Sequence, residues 1–186
     1  MLRLLAASAA PAARLGPRRF HASARLPVPK IGDSLPDVPL FEGSPANKVN
    51  LAQELTDKGV IVGVPAAYSP ACSASHIPGY INSPKLKNAG SVVVVSVNDP
   101  FADSIGSMKA WGSGLDPDGK SGIRFLADTH GDFTNALDLA FDSKKIFGND
   151  RSKRYALVVE NGKVKAVHVE PDNTGVNVSA AEKVLG

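Results

Sequence analysis

Residues 60–80, VIVGVPAAYSPACSASHIPGY, are the stretch that decides the fold. The β-branched run 60–64 predicts a buried strand, and the prolines of PAAYSPAC predict a loop after it. From residue 73 to residue 89, small, apolar and polar residues recur at helical spacing, although Pro78 must kink or interrupt that helix. The stretch therefore predicts a strand, a loop and a helix in succession, with Cys72 where the helix begins.

A second apolar run marks the centre of the sheet. Residues 92–97, VVVVSV, predict a strand buried on both faces, as in sheets that are covered by helices. The other predicted elements are extended segments with short edge strands over 27–50, a strand and helical turn over 49–55, a helix over 101–111, a strand over 123–126 and a helix over 133–140. Residues 155–159 and 163–169 are predicted to form a hairpin closed at Asn161-Gly162. A capping box at 179–182 predicts the start of a last short helix. This order predicts an α/β, thioredoxin-like fold, with a central mixed β-sheet flanked by helices.

The composition is that of a globular protein with one domain. The chain has 186 residues, 43% hydrophobic and 21% charged, and a domain of this size needs no metal or disulfide to fold. A single cysteine excludes an intramolecular disulfide, a CxxC dithiol site and a zinc cluster. The sequence has no phosphate-binding loop, no dinucleotide motif and no His/Asp cluster, so we expect no cofactor and no metal. It also lacks a run of ~18 apolar residues, so we expect no membrane span.

Positive charge is concentrated at the beginning of the chain. Residues 1–25 contain five arginines and no acid, whereas residues 26–186 contain 16 basic and 18 acidic residues. An arginine-rich, acid-free segment with many Ala and Ser residues is typical of an organelle targeting peptide. The segment 19–23, RFHAS, resembles the processing site of fungal mitochondrial presequences. The alternative is a basic tail that binds nucleic acid or anionic lipid.

We therefore expect residues 1–25 to be a mitochondrial presequence and residues 26–186 to be the domain. The matrix is the expected destination, because no apolar stop-transfer segment follows the presequence. The domain itself is predicted to bind neither nucleic acid nor membrane.

The lone thiol of Cys72 has two interpretations. The start of a helix offers free backbone N–H groups and the positive end of the helix dipole, which favour a thiolate, the reactive form of cysteine. A lone cysteine is otherwise more often a small buried hydrophobic residue. The position after a buried strand leaves both interpretations open.

The motif around Cys72 resembles that of a known family. Pro65, Ser69 and Cys72 have the spacing of Pro, three residues, Thr or Ser, two residues, Cys, and the stretch 73–80 continues it as SxSHxPGY. With these residues the chain resembles the type-five peroxiredoxins, also called the type II or atypical group. Further matches, which extend the resemblance from about residue 28 to the C-terminus, are Val97-Asn98-Asp99, Trp111-Gly112, Arg124 in IRFLAD, Phe147-Gly148-Asn149 and Val169-Glu170-Pro171-Asp172.

The resemblance implies a thiol-dependent peroxidase of antioxidant defence that reduces hydrogen peroxide and organic hydroperoxides. Cys72 would attack the O–O bond and become a sulfenic acid. Ser69 would hydrogen-bond the peroxide, Arg124 would lie beside the sulfur and stabilise the thiolate and the transition state, and Pro65 would shield the pocket. The resemblance also implies a non-covalent homodimer with its contact near the active-site loops.

Two positions depart from the family pattern. Ser69 stands where threonine is commoner, which keeps the hydroxyl but loses the methyl group that restricts its rotamer. Val178 stands where some relatives carry a resolving cysteine. Because the chain has one cysteine, the sulfenic acid must be resolved by an external thiol, either glutathione with glutaredoxin or thioredoxin.

Other interpretations use the same residues. His76 could make a Cys–His hydrolase with Cys72, but no orienting carboxylate is near in sequence, and a structural histidine that bonds the backbone near the loop is favoured. Cys72 could also serve a peroxide-sensing or chaperone-like redox module without efficient turnover. Trp111, Phe101 and Phe147 are expected to pack in the core or at a dimer contact.

The second half of the chain contains a basic run. Its members are Lys144, Lys145, Arg151, Lys153 and Arg154. A solvated face is the favoured interpretation, ahead of a docking site for an acidic partner.

Overall fold

The computed structural model describes residues 28–101 and 107–186. The predicted presequence, residues 1–25, lies outside the described residues. Within the described ranges, no helix is both long and apolar enough to cross a membrane.

The elements follow one another in an α/β order. The strands are β1 (Leu40–Phe41), β2 (Lys48–Val49), β3 (Lys58–Gly63), β4 (Ser91–Ser96), β5 (Arg124–Ala127), β6 (Ala140–Phe141), β7 (Arg151–Ser152), β8 (Tyr155–Glu160) and β9 (Lys163–Val169). The α-helices are α1 (Leu51–Glu54), α2 (Ile77–Ile81), α3 (Met108–Leu115), α4 (Asp132–Ala136), α5 (Lys144–Phe147) and α6 (Ala181–Val184). A π-helical turn at Cys72–His76 precedes α2, and a 3-10 turn at Leu86–Asn88 precedes β4.

Among the described residues, the central sheet has seven strands in the order β2–β1–β5–β4–β3–β8–β9, and β6 pairs with β7 separately. Strands β3, β4 and β5 are parallel, whereas β8 runs antiparallel along the other side of β3 and places Tyr155 opposite Gly63. Strands β8 and β9 form the predicted hairpin, and Asn161 and Gly162 of its turn both have positive φ, as a type I′ turn requires. The predicted thioredoxin-like fold with a mixed sheet is confirmed.

Helices cover both faces of the sheet, as the sequence of β4 predicts. Val92 and Val94 point to one face and pack in a cluster with residues of α2 and α3, while Val93 and Val95 point to the other face and pack with residues of α1 and α4. All four valines are buried. Successive side chains of a strand point to opposite faces, so an uninterrupted valine run suits a strand that is covered on both sides.

The helices differ most from the prediction. The helix expected over 73–89 is divided into the π-helical turn, α2 and the 3-10 turn. Helix α4 ends at Ala136 instead of residue 140, and Asp138 with a φ of 53° turns the chain away. Helix α3 begins at Met108, where the Ser107 hydroxyl caps it by accepting from Ala110 N–H, and it continues to Leu115. Residues 102–106 of the helix predicted over 101–111 lie outside the described residues.

The capping box predicted at 179–182 is wrong. Helix α6 begins at Ala181, after Ala180, which has no capping side chain. The Ser179 hydroxyl donates instead to Glu170 Oε1 at 2.8 Å. The Ser179 hydroxyl thus binds a buried carboxylate at the end of β9 instead of capping the helix as the local pattern predicts.

Candidate active site

Cys72 lies where the chain leaves β3, passes through a loop and enters a helix. Its side chain is fully buried and its thiol is free. The N–H of Ile77 donates to the Cys72 carbonyl, five residues back, which makes the turn π-helical. Pro78 follows as the second residue of α2 and has no N–H to donate to the carbonyls of the turn before it. The π-helical turn thus accommodates the proline that the sequence predicts to interrupt the helix, next to the thiol.

The loop between β3 and Cys72 is held by the end of β4. The Ala67 N–H donates to Asn98 Oδ1 at 3.1 Å. Ser96 Oγ lies 2.7 Å from the same oxygen and 3.0 Å from the Val64 carbonyl. Pro65, at the start of the loop, is buried. These contacts explain why Asn98 follows the central strand in this sequence, because it fixes the backbone that carries the serine and the cysteine.

Ser69 is in contact with the sulfur. Its hydroxyl donates to Cys72 Sγ at 2.7 Å, and its carbonyl accepts from the N–H of Ser73 at 3.0 Å. The serine is half-buried, while the sulfur behind it is covered. The structure therefore brings together the serine and cysteine of the predicted motif.

The arginine beside the sulfur is Arg154. Its Nη1 donates to Cys72 Sγ at 3.3 Å, and its Nε donates to the Thr174 carbonyl at 3.0 Å. The side chain is 1% exposed. Arg154 directly precedes β8, and the next residue, Tyr155, is opposite the last residue of β3. The register of two neighbouring antiparallel strands therefore places this guanidinium at the loop that leaves β3.

The expectation that Arg124 lies beside the sulfur is wrong. Arg124 begins β5, which is separated from β3 by β4. Its Nε and Nη2 donate to the two oxygens of Glu42 at 3.0 and 2.8 Å, and its Nη1 donates to Glu54 at 2.6 Å. These hydrogen bonds, with Glu42 first, raise the pKa of Arg124 above its ordinary value against the effect of partial burial. Two carboxylates thus hold the guanidinium at the β1 side of the sheet.

The local sequence does not mark Arg154 as a residue of the site. The sequence RSKRY gives it the appearance of a surface residue, and the solvated face predicted for the basic run is wrong for this member, whereas Lys144 and Lys145 are exposed. The missed signal is its position directly before a buried strand of a hairpin. Because β8 runs antiparallel to β3, its first residues lie beside the carboxyl end of β3.

His76 links the arginine to the C-terminal segment. Its Nδ1 lies 3.1 Å from Arg154 Nη1, and its Nε2 lies 3.0 Å from the Ser179 carbonyl oxygen. Because arginine only donates, Nδ1 is the acceptor, and Nε2 carries the proton and donates to Ser179. Burial, with the charge of Arg154, lowers the pKa of His76 to about 4, so the ring is neutral at pH 7. The prediction of a structural histidine bonded to the backbone is confirmed.

Aromatic side chains divide between the core and the surface. Trp111 is buried, packs edge-to-face on Phe125 with ring centroids 5.6 Å apart, and donates from Nε1 to the Ser73 hydroxyl at 3.0 Å. Phe101 and Phe147 are 49% and 37% exposed, and Arg151 lies over the ring of Phe147. Trp111 therefore belongs to the core and supports the residue after the cysteine, while the two phenylalanines lie at the surface.

Metal ligands are not grouped in the part of the chain that the structure describes. No cluster of three or more His, Cys, Asp or Glu side chains there is arranged to hold an ion. The chemistry available at this site is that of a thiol with two hydrogen-bond donors aimed at it.

Comparison with known proteins identifies relatives along most of the chain. The sequence profile of the redoxin family matches residues 30–185. Peroxisomal membrane associated protein 20 of Schizosaccharomyces pombe is 44% identical over 158 residues, which cover 83% of this chain and 96% of that protein. Mitochondrial peroxiredoxin-2F of Arabidopsis thaliana is 41% identical over 132 residues, 69% of this chain and 62% of that protein. The crystal structure of peroxiredoxin 5 from Alvinella pompejana matches with a TM-score of 0.68 and 39% identity, over 78% of this chain and 92% of that one.

Proposed function

The chain belongs to the type-five group of the peroxiredoxins, and we propose that Cys72 is the peroxidatic cysteine with which it reduces hydrogen peroxide and organic hydroperoxides. As a member of this family the protein is a thiol-dependent peroxidase. One observation supports the assignment of Cys72 above all others: two donors, Ser69 Oγ at 2.7 Å and Arg154 Nη1 at 3.3 Å, converge on its buried sulfur. A structural buried cysteine needs no such donors.

The first half-reaction consumes one peroxide. The Cys72 thiolate attacks the terminal oxygen of the hydroperoxide, an S–O bond forms and the O–O bond breaks. The departing alkoxide or hydroxide takes up a proton and leaves as an alcohol or water. The sulfur is oxidised to the sulfenic acid by two electrons, and the peroxide is reduced by the same two.

The two donors act on different atoms along this path. In the resting site both donate hydrogen bonds to the sulfur. When peroxide enters, we expect Ser69 Oγ to exchange its bond to the sulfur for one to the peroxide, and Arg154 Nη2 to donate to the oxygen on which charge develops. Fixed donors aimed at a developing oxyanion in a site without water are worth about 3–4 kcal/mol each in activation free energy. Pro65, buried at the start of the loop, is proposed to keep water from the sulfur.

The second half-reaction requires a thiol from another molecule. Cys72 is the one cysteine of the 186 residues, so the sulfenic acid condenses with an external thiol to a mixed disulfide and releases water. A second external thiol then attacks that disulfide, which restores the Cys72 thiol and releases an oxidised dithiol. We propose glutathione with glutaredoxin, or thioredoxin, as the source.

Location and assembly are proposed on similar grounds. The arginine-rich, acid-free residues 1–25 and the mitochondrial relative support import into mitochondria, to the matrix, while the peroxisomal relative supports a different address. Fluorescence microscopy of residues 1–30 fused to a reporter distinguishes the two.

The exposed aromatic ring of Tyr68, on the loop before Cys72, supports a homodimer with its contact near this loop. Sedimentation analysis tests this assembly.

Steady-state turnover tests the proposed function. With hydrogen peroxide in excess, we expect repeated turnover of the wild type with glutaredoxin plus glutathione or with thioredoxin plus its reductase, and none for Cys72→Ser. A peroxide-consuming Cys72→Ser variant would contradict the proposal. A single oxidation without further turnover in either reducing system would favour the peroxide-sensing module instead.

A further inference from the structure

Glu170 is a buried acid that the reaction scheme does not use. It follows the last residue of β9 and is 1% exposed. Its backbone N–H donates to the Arg154 carbonyl at 3.0 Å, so the acid and the active-site arginine are neighbours across the start of the hairpin pair. Burying a carboxylate is costly unless it is paired or hydrogen-bonded. Its contacts therefore indicate what it holds in place.

The Glu170 carboxylate binds the segment that follows it. Its Oε1 accepts from the backbone N–H groups of Asn177 at 2.7 Å and Ser179 at 2.9 Å, and from the Ser179 hydroxyl at 2.8 Å. Burial raises the pKa of Glu170, but these hydrogen bonds outweigh it and hold the pKa below its ordinary value. An ionised carboxylate with three donors on one oxygen fixes the backbone at Ser179.

The other side of Ser179 faces the active site. Its carbonyl oxygen accepts from His76 Nε2 at 3.0 Å and from the Tyr80 hydroxyl at 2.7 Å. The His76 ring, held at Nε2, presents Nδ1 to Arg154 Nη1, the same group that donates to the sulfur. A continuous series of hydrogen bonds thus runs from Glu170 through Ser179 and His76 to the guanidinium.

We propose that Glu170 is a positioning residue for peroxide reduction. It fixes Ser179, the Ser179 carbonyl orients His76, and His76 holds the Arg154 guanidinium against the Cys72 sulfur. This inference rests on the proposed roles of Cys72 and Arg154.

Single-turnover oxidation of Cys72 by hydrogen peroxide tests the proposal. The fluorescence of Trp111, the chain's one tryptophan and a hydrogen-bond partner of Ser73, reports the reaction. We expect Glu170→Ala to slow oxidation by about tenfold to a hundredfold, since small displacements of catalytic groups have effects of this size. The matched control is Glu182→Ala, which removes an exposed acid from α6 and should change the rate by less than about twofold.

Two further readouts separate positioning from a structural effect. Alkylation of Cys72 by iodoacetamide needs a reactive, accessible sulfur but no donor to a departing oxygen, so it should not fall in proportion to the peroxide rate. In an Arg154→Gln background, Glu170→Ala should cause no additional slowing, because a residue that acts through the guanidinium has nothing left to position. Equal losses in both reactions, or effects that multiply in the double variant, would overturn the proposal.

Glu170→Gln decides the matter if Glu170→Ala does not fold. The amide keeps an oxygen for the Ser179 donors and removes the charge, so we expect oxidation to slow by about threefold or more in the wild-type background and not at all with Arg154→Gln. An unchanged rate refutes the positioning role. Failure of the proposed function is recognised separately, because Cys72→Ser would then still reduce peroxide.

Discussion

The reactivity of this site depends on what faces one sulfur atom. Ser69 Oγ is the closer of the two donors, at 2.7 Å. Its position is fixed by the loop that Asn98 holds, and it reaches the sulfur from a half-buried side chain. We therefore expect an entering peroxide to meet this hydroxyl first.

Substitutions of Ser69 show what its hydroxyl contributes to the oxidation rate, separately from its backbone. Ser69→Ala should slow single-turnover oxidation by about a hundredfold, the size of effect seen when one donor to a developing oxyanion is removed. Ser69→Thr is the matched control, since it keeps the hydroxyl and adds a methyl group that restricts its rotamer. Stopped-flow fluorescence should give Ser69→Thr a rate at or above that of the wild type. Similar rates for Ser69→Ala and the wild type would remove the serine from the mechanism.

His76 gives the free energy of unfolding a defined pH dependence. Its pKa is about 4 in the folded protein and about 6.5 in an unfolded chain. Between these values the unfolded chain binds the proton and the folded protein does not, so stability falls as pH drops from 6.5 to 4, by about 3 kcal/mol. Above pH 6.5 both states are neutral and the contribution is constant.

Urea unfolding at several pH values measures this effect. The slope between pH 6.5 and 4 should be smaller in His76→Gln than in the wild type, while His130→Gln, at an exposed histidine, should keep it. An identical slope in His76→Gln would show that the buried ring is not the titrating group.

The spacing of the motif was enough to predict that Ser69 and Cys72 are in contact, because both lie on one short segment. It was not enough to predict which arginine contacts the sulfur. Arg124 and Arg154 each stand at the beginning of a buried strand, and only the order of strands tells which strand adjoins β3. That order depends on pairings between distant segments, which local sequence does not contain.

Among the elements, α3 shows most clearly how close packing supports the site. Two of its glycines differ in their surroundings. A Cβ at Gly112 would lie 2.6 Å from Phe125 Cδ2, whereas a Cβ at Gly114 would meet nothing within 4 Å. Both glycines lie on α3, and Trp111 of the same helix donates a hydrogen bond to the Ser73 hydroxyl, beside the cysteine.

Gly112→Ala and Gly114→Ala are therefore a matched pair. We expect Gly112→Ala to lower the free energy of unfolding by about 1–3 kcal/mol through overpacking against Phe125. Gly114→Ala should raise it by up to about 1 kcal/mol, the difference in helix propensity. The midpoints of urea unfolding compare the two, and equal midpoints would contradict the packing described here.

Strands were predicted more accurately than helices for a physical reason. The runs of β3 and β4 are β-branched and buried, so composition alone identifies them. The helices are short and depend on tertiary contacts, as when Glu170 takes the hydroxyl of Ser179 that the local pattern assigns to a cap. The π-helical turn at Cys72–His76 has no periodic pattern of its own, and only Pro78 indicates that the helix is interrupted there.

At the scale of the whole molecule, the single thiol makes the enzyme depend on its reductant. After one equivalent of peroxide followed by glutathione, intact-mass spectrometry should show one glutathione bound per chain, and peptide mapping should place it at Cys72. The adduct should disappear with glutaredoxin. Absence of any adduct would exclude resolution by glutathione and leave thioredoxin as the source of the second thiol.

The account depends most on which arginine faces the sulfur. Stopped-flow measurement of Cys72 oxidation by hydrogen peroxide in Arg154→Lys and Arg124→Lys tests this directly, because each change keeps the charge and removes the planar pair of donors. We predict that Arg154→Lys slows oxidation by about a hundredfold or more, while Arg124→Lys, at a residue bound to Glu42 and Glu54, stays within about twofold of the wild type. A large loss in Arg124→Lys together with a near-normal rate in Arg154→Lys would contradict it.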